Sequence, residues 1–366
     1  MSILDTIRLL VECESPSADR AAVARSADLV ARLGTDLLGT PPERIEVDGA
    51  PHLRWRFGPA THVLLLAHHD TVWPIGSVER LPFGVHDGIL TGPGCFDMKT
   101  GLAMALHAVA ALDDRDGVTL LVTGDEEVGS ARSRALIEQT ATGARAALVL
   151  EASADGGALK GARKGVSLYE VSVTGRAAHA GLEPEKGVNA TVEFAHVALA
   201  AAALGDEAAG TSVTPTVASS GTTTNTVPAH ARLWIDVRAR TAAELARVDA
   251  ALRAFAPVTL GASISVDGGI NRPPLESRMS ARLHALVARL AERSDLPVPD
   301  CVAVGGASDG NFTAGMGVPT LDGLGAVGGG AHAEDEHVVV AEIAPRTRLL
   351  AELVAEISRT DEPWRS

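Results

Sequence analysis

The chain has 366 residues, a formal net charge of -14, 46% hydrophobic residues and 21% charged residues. This length suggests roughly two domains, and the composition is that of a globular protein with a large core. The acidic balance argues against nucleic acid, which needs a basic face. Aromatic residues make up only 3%, so the core must be built mainly from Ala, Val and Leu. No stretch approaches the ~18 uncharged apolar residues of a membrane span. Asp5 and Arg8 interrupt the first apolar run, so no signal-peptide core is expected, and the expected location is cytoplasmic. The three cysteines, Cys13, Cys95 and Cys301, stand too far apart for a disulfide framework or a zinc finger.

In chain order, residues 3–12 and 19–37 have helical periodicity and predict two opening helices. His62 to Ala67 is a largely continuous apolar run that suits a strand buried on both faces of a parallel sheet. Gly101 to Leu112 reads as a helix. Val118 to Thr123 is a second buried strand, a helix follows from about Ser130 to Glu138, and Ala146 to Leu150 is a third strand. This alternation of strand and helix indicates an α/β sheet.

The pattern changes near Gly165. Ser167 to Thr174 and Arg232 to Arg238 alternate polar and apolar, as half-solvated antiparallel strands do. With helices over about 188–204 and 242–255 and a strand over 263–267, the order resembles β-α-β-β-α-β and predicts a small inserted domain. A long helix over 280–293, sheet-like segments near Val302 and Pro319 to Leu321, and a helix over 343–357 complete the chain.

Metal-binding residue types stand at the ends of the three buried strands, where open α/β sheets place their ligands. The first ends Ala67-His68-His69-Asp70-Thr71, and alternation puts His68 and Asp70 on one side and His69 on the other. His68 is read as a ligand, with Asp70 accepting its second ring N–H and fixing the tautomer. A glycine turn, Gly92-Pro93-Gly94-Cys95-Phe96, delivers Asp97. The second strand ends Gly124-Asp125-Glu126-Glu127, three adjacent acids that repel one another unless a cation neutralises them. The third ends at Glu151, and His332 follows Gly328-Gly329-Gly330-Ala331. Together His68, Asp97, Glu127, Glu151 and His332 supply two imidazoles and three carboxylates. That set suits two Zn²⁺ ions sharing one carboxylate, and other first-row metals such as Co²⁺ or Mn²⁺ accept the same ligands. Glu126 then stands beside a ligand, where it can take the proton of a bridging water. No Gly-x-Ser-x-Gly elbow and no Gly-Lys-Ser/Thr ending occurs, which disfavours serine-hydrolase and phosphate-binding readings.

Taken with Ala178-His179-Ala180-Gly181, Asn225-Thr226-Val227-Pro228, Asp236-Val237-Arg238 and Gly305-Gly306-Ala307-Ser308-Asp309, these stretches resemble the aminoacylase/carboxypeptidase family of dinuclear zinc hydrolases, and within it the glutamate carboxypeptidases. The resemblance runs over nearly the whole chain. It implies an α/β catalytic domain (1–165 and 274–366) with a mostly parallel sheet flanked by helices, interrupted by a smaller α+β, ferredoxin-like lid and dimerisation domain (166–273). It implies that His68 and Glu151 hold one zinc, Glu127 and His332 the other, that Asp97 bridges them, and that the peptide bond after Asp97 is cis. By the same likeness Glu126 is the general base and later the general acid. His179, from the partner subunit of a homodimer, polarises the scissile carbonyl. Asn225, Arg238 and Arg272 contact substrate, the arginines through its carboxylate. The expected substrates are small acyl-amino acids or short peptides. Glutamate release is favoured by the resemblance alone. N-acetyl, N-succinyl or carbamoyl amino-acid hydrolysis and dipeptidase activity stay open, as does an inactive, metal-free binding relative.

Overall fold

The structure, a computed structural model, describes residues 1–360. It divides into two compact units. The first comprises Met1–Ala162, Glu276–Val304 and the chain from Ser308 onward; the second comprises Arg163–Leu275 with Gly305–Ala307. The short Gly305–Ala307 segment thus belongs with the inserted unit rather than with the catalytic segment that surrounds it in sequence. Residues 361–366, placed with the catalytic segment on sequence grounds, lie outside the described residues.

The first unit is built on a six-stranded sheet in the order Glu43–Val47, Ala50–Arg56, Val118–Thr123, Val63–His68, Ala146–Val149, Thr320–Leu321. The last four strands are parallel, and the first two form an antiparallel hairpin at one edge. The continuous apolar run over Val63–Ala67 is explained by burial on both faces. Val63, Leu65 and Ala67 join the large core formed with Ile7, Leu10, Leu102 and Val354. Leu64 and Leu66 join a second cluster with Leu121, Ile137 and Phe312. Truncating such a Leu to Ala typically costs about 2–5 kcal/mol, so this sheet is a rigid platform.

Register brings the strand ends level. His68 stands opposite Thr123, and Leu66 opposite Val149. The residues just past Thr123 and Val149 therefore emerge beside His68. The second opening helix, Arg20–Leu38, is capped by Asp19, whose carboxylate accepts from Ala21 N and Ala22 N, and ends at left-handed Gly39. The helix expected from Ser130 begins instead at Arg134. The reason is local: Asp125 Oδ2 accepts from Arg132 N at 2.8 Å and Ser133 N at 3.3 Å, which holds 130–133 in a turn. Helix Thr100–Ala110 enters close against the sheet, and a Cβ at Gly101 would overlap the Leu150 carbonyl oxygen.

The second unit is a four-stranded antiparallel sheet in the order Ser212–Ser220, His230–Ala239, Gly165–Thr174, Ser263–Arg272. Helices Ala190–Ala202 and Ala242–Arg253 supply Val197, Leu245, Val248 and Leu252 to its core, opposite Val171, Val173, Leu233, Ile235 and Val237. The alternation along Gly165–Thr174 and His230–Ala239 is that of strands covered on one face only.

Candidate metal centre

Three strand ends and two glycine turns bring one cluster together in the first unit. His68 is buried at the end of its strand, and its Nδ1 lies 3.0 Å from the Asp70 carbonyl oxygen. A carbonyl can only accept, so Nδ1 carries a proton, which leaves Nε2 as the ring nitrogen that a metal ion would take in place of a proton. The sequence reading gave this role to the Asp70 carboxylate, but the carbonyl is the closer acceptor, with Oδ1 at 3.4 Å. The carboxylate accepts from Glu126 N and Glu127 N, both at 3.2 Å, and from Ser17 Oγ at 2.6 Å. Asp70 thus fixes the His68 ring through its backbone and the 126–127 turn through its side chain. His69 faces away; its Nε2–H donates to Pro51 O, and burial lowers its pKa to about 4, so it is neutral.

Asp97 sits between the two imidazoles. His68 Nε2 lies 3.4 Å from Asp97 Oδ1 and 3.6 Å from Glu151 Oε1. His332 Nε2 lies 3.4 Å from Asp97 Oδ2 and 3.3 Å from Glu127 Oε2. Glu126 places a carboxylate oxygen within 4.8 Å of ligand atoms of His68 and Glu151, and Glu127 places one within 4.8 Å of those of His68 and Asp97. The Asp97–Met98 peptide bond is cis. His332 takes a left-handed backbone, and a Cβ at Gly328, at the start of its approach, would overlap the His337 carbonyl oxygen.

These residues fit a pair of metal ions. A tetrahedral site with metal–ligand distances of about 2.0–2.1 Å has ligand–ligand edges of about 3.3–3.4 Å, close to the nitrogen–oxygen separations here. His68 Nε2, Asp97 Oδ1 and Glu127 Oε1 are buried without a hydrogen-bond partner. Buried polar atoms are otherwise nearly always satisfied, and these three converge on one place.

The titration of the cluster points the same way. Hydrogen bonds donated to the Asp97 and Glu127 carboxylates hold the His332 pKa up at about 10. Burial works against charge on His68, but the carboxylates of Asp70, Asp97 and Glu151 outweigh it and raise its pKa well above the ordinary value. Asp97, flanked by both imidazoles, is held below the usual carboxylate range despite its burial. Glu127 goes the other way, because its burial outweighs the pull of His332. The pocket is negative enough to favour cations over neutral rings.

The second unit holds the other residues singled out by sequence. The short pair Ala178–His179 with Thr226–Val227 sets His179 beside Asn225, whose carbonyl oxygen accepts from Ala180 N at 2.9 Å. His179 Nδ1 accepts from Gly181 N and Leu182 N, both at 3.1 Å, so its proton is on Nε2. Arg238 donates from Nε and Nη2 to Asp236, two residues back on its own strand. Arg272 is buried at the end of strand Ser263–Arg272.

Sequence reasoning missed two polar residues that serve the cluster, Ser17 on Asp70 and Glu336. The Glu336 carboxylate accepts from Gly94 N at 2.8 Å, Phe96 N at 2.9 Å and Asp97 N at 3.0 Å. Their partners lie tens to hundreds of positions away, and no spacing along the chain signals them.

A family model described as peptidase family M20/M25/M40 matches residues 64–356, and the chain belongs to that family. It is therefore a metal-dependent peptidase or amidohydrolase. It is 29% identical over 377 residues to carboxypeptidase G2 of Pseudomonas sp. (strain RS-16), covering 97% of this chain and 89% of that protein. It is 30% identical over 378 residues to a succinyl-diaminopimelate desuccinylase of Cereibacter sphaeroides, covering 93% and 96%. The crystal structure of aminopeptidase PepT from Bacillus cereus shares the fold, with a TM-score of 0.75, 23% identity and 98% of each chain covered.

Metal and protons should compete for this cluster. His332 has a folded pKa above its unfolded value of about 6.5. Its protonation therefore stabilises the metal-free protein fully below about 6.5, and the contribution is lost as pH rises through about 10. Adding zinc to metal-free protein at pH 8 should release protons, and His332→Ala should lower the release by about one proton per chain. A pH-indicator titration measures this directly. Equal release by both proteins would remove His332 from the metal centre.

Proposed function

We propose that the chain is a dinuclear zinc hydrolase that cleaves an amide bond next to a free carboxylate, as a glutamate-carboxypeptidase-like peptidase. The observation that carries this reading is the pair of histidine–carboxylate groups that share Asp97, with the Glu126 carboxylate beside them. Deacylation of N-acyl-amino acids is the second reading, favoured by the similarity to the desuccinylase. Three free thiols suit a reducing, cytoplasmic compartment.

In this reading His68, Glu151 and Asp97 hold one ion, and His332, Glu127 and Asp97 the other. When bound, zinc supplies Lewis acidity, lowering the pKa of a water to near 7 and polarising an acyl oxygen; Co²⁺ or Mn²⁺ can supply the same. Glu126 does the proton work. As water oxygen bonds to the acyl carbon, the water proton passes to the Glu126 carboxylate. The same proton goes to the amine nitrogen as the C–N bond breaks. His179, with its proton on Nε2, donates to the acyl oxygen as charge builds there. Arg238 and Arg272 anchor the substrate carboxylate, and Asn225 supports the same substrate.

Glu126→Gln should keep the metal and bind substrate with little change in KM, while kcat falls about 10²–10⁴-fold. Steady-state kinetics alongside elemental analysis tests this. Near wild-type turnover would take the base role away from Glu126.

Assembly as a homodimer is part of the proposal. The edge strand Ser212–Ser220 has one unpaired side, and helix Ala190–Ala202 packs against it. Val192, Leu199 and Val217 stand exposed on these two elements. An apolar face beside an open strand edge suits a two-fold contact with a second copy. Mixing His179→Ala with Glu126→Gln should restore part of the activity, because a mixed dimer has one site with neither change. Absence of recovery under demonstrated subunit exchange would mean that His179 acts within its own chain or not at all.

The substrate class is tested with acyl-amino acids and dipeptides, each paired with its α-amide. The acid forms should be hydrolysed faster by at least about tenfold, since a guanidinium–carboxylate anchor is typically worth more than 1.4 kcal/mol. Equal rates for acid and amide would remove the anchor and favour a broader amidase.

A further inference from the structure

The Glu336 carboxylate is 3% exposed and accepts four hydrogen bonds. Oε2 takes Trp73 Nε1–H at 2.7 Å and Gly94 N–H at 2.8 Å. Oε1 takes Phe96 N–H at 2.9 Å and Asp97 N–H at 3.0 Å. Each oxygen accepts two donors, which fills the acceptor capacity of an ionised carboxylate. None of these donors is a cationic side chain; the buried Lys99, whose ammonium donates to Cys13 O, adds a favourable charge interaction.

The donors come from the segments that carry the metal cluster. Three belong to the turn that delivers Asp97. The fourth, Trp73, follows Asp70 in the loop after His68, and Glu336 itself lies four residues beyond His332. We propose that Glu336 is a positioning residue for the metal centre, setting where Asp97 stands relative to His68 and His332. This rests on the metal-centre reading above.

Glu336→Gln is the informative change because it keeps the shape and reverses half of the chemistry. Whichever way the amide is turned, its NH₂ faces two N–H groups. With the NH₂ on the Oε2 side, Trp73→Phe removes one of the two opposed donors, so the double variant should regain part of what Glu336→Gln loses. The readout is cobalt(II) affinity by chelator competition, with the cobalt absorption spectrum, set against urea unfolding of the metal-free protein. Glu336→Gln should weaken cobalt binding roughly 10–100-fold and alter the spectrum while the metal-free unfolding midpoint stays near wild type. Trp73→Phe/Glu336→Gln should recover part of the affinity.

Wild-type cobalt affinity and spectrum in Glu336→Gln would overturn the inference. So would a loss matched by an equal collapse of the metal-free fold. If Glu336→Gln does not fold, Glu336→Asp is read in its place, since it keeps the charge and all four acceptor positions one methylene shorter. Weaker cobalt binding by a stably folded Asp variant supports the inference, and unchanged binding overturns it. Failure of the wild-type protein to bind cobalt would overturn the metal-centre reading and this inference with it.

Discussion

Carboxylate repulsion is the constraint around which this molecule is organised. Asp97, Glu126, Glu127 and Glu151 converge on two imidazole nitrogens in a partly buried pocket. Two like unit charges about 4 Å apart repel by about 4 kcal/mol at an effective dielectric of about 20. Several such pairs together rival the 5–15 kcal/mol that holds a typical domain folded. Protons on His68 and His332 relieve part of this, which is why the pKa of each ring is raised. In the proposed function two divalent cations would balance the four carboxylates and would take up His68 Nε2, Asp97 Oδ1 and Glu127 Oε1, which are buried without a hydrogen-bond partner.

A cluster of this kind cannot be assembled by flexible loops, because each loop would move its charge away. The first unit instead hangs these side chains from a sheet whose central strand is packed on both faces. Register fixes which residues emerge side by side. The polar layer above the sheet then sets their directions. Asp70 spends its carbonyl on the His68 ring and its carboxylate on the 126–127 turn. Glu336 holds the turn of Asp97 from behind. Both are buried carboxylates that accept several hydrogen bonds: at Asp70 burial is outweighed by the His68 ring and the other donors, which lower the pKa, whereas at Glu336 burial outweighs the donors and raises it.

The sequence makes the buried strands and their ends legible, because a short run such as Val63 to Ala67 suits a strand covered on both sides and the polar residues that follow it mark its carboxyl end. The alternation of Gly165–Thr174 and His230–Ala239 likewise identifies a half-covered antiparallel sheet. The hairpin Glu43–Val47/Ala50–Arg56 escaped notice because Arg54 and Pro51 break its apolar run, and its burial comes from the neighbouring strand rather than from its own pattern. The start of the helix at Arg134 was hidden because its delay depends on side-chain bonds from Asp125. Ser17 and Glu336 were invisible for a related reason: a hydrogen bond between distant segments leaves no periodicity. The division of work on Asp70, carbonyl to one partner and carboxylate to others, is likewise a three-dimensional fact that a residue type alone does not specify.

Arg238 shows why the reaction is easier to read than the substrate. Its guanidinium is already bound to Asp236, so at first sight it is no anchor. The pair is partly exposed, however, with side-chain exposures of 36% and 26%, and exposed ion pairs contribute only about 0–1 kcal/mol. In the proposed function a substrate carboxylate would therefore meet little resistance in taking over one edge of the guanidinium. Meanwhile Asp236 limits the rotamers of Arg238, which lowers the entropy lost on binding. An ion pair of that strength neither marks the arginine as structural nor commits it to one ligand. Relatives of about equal identity to this chain carry names as different as carboxypeptidase and desuccinylase. A cluster of converging buried charges admits few rearrangements, whereas a weakly held surface ion pair can be rearranged at small energetic cost.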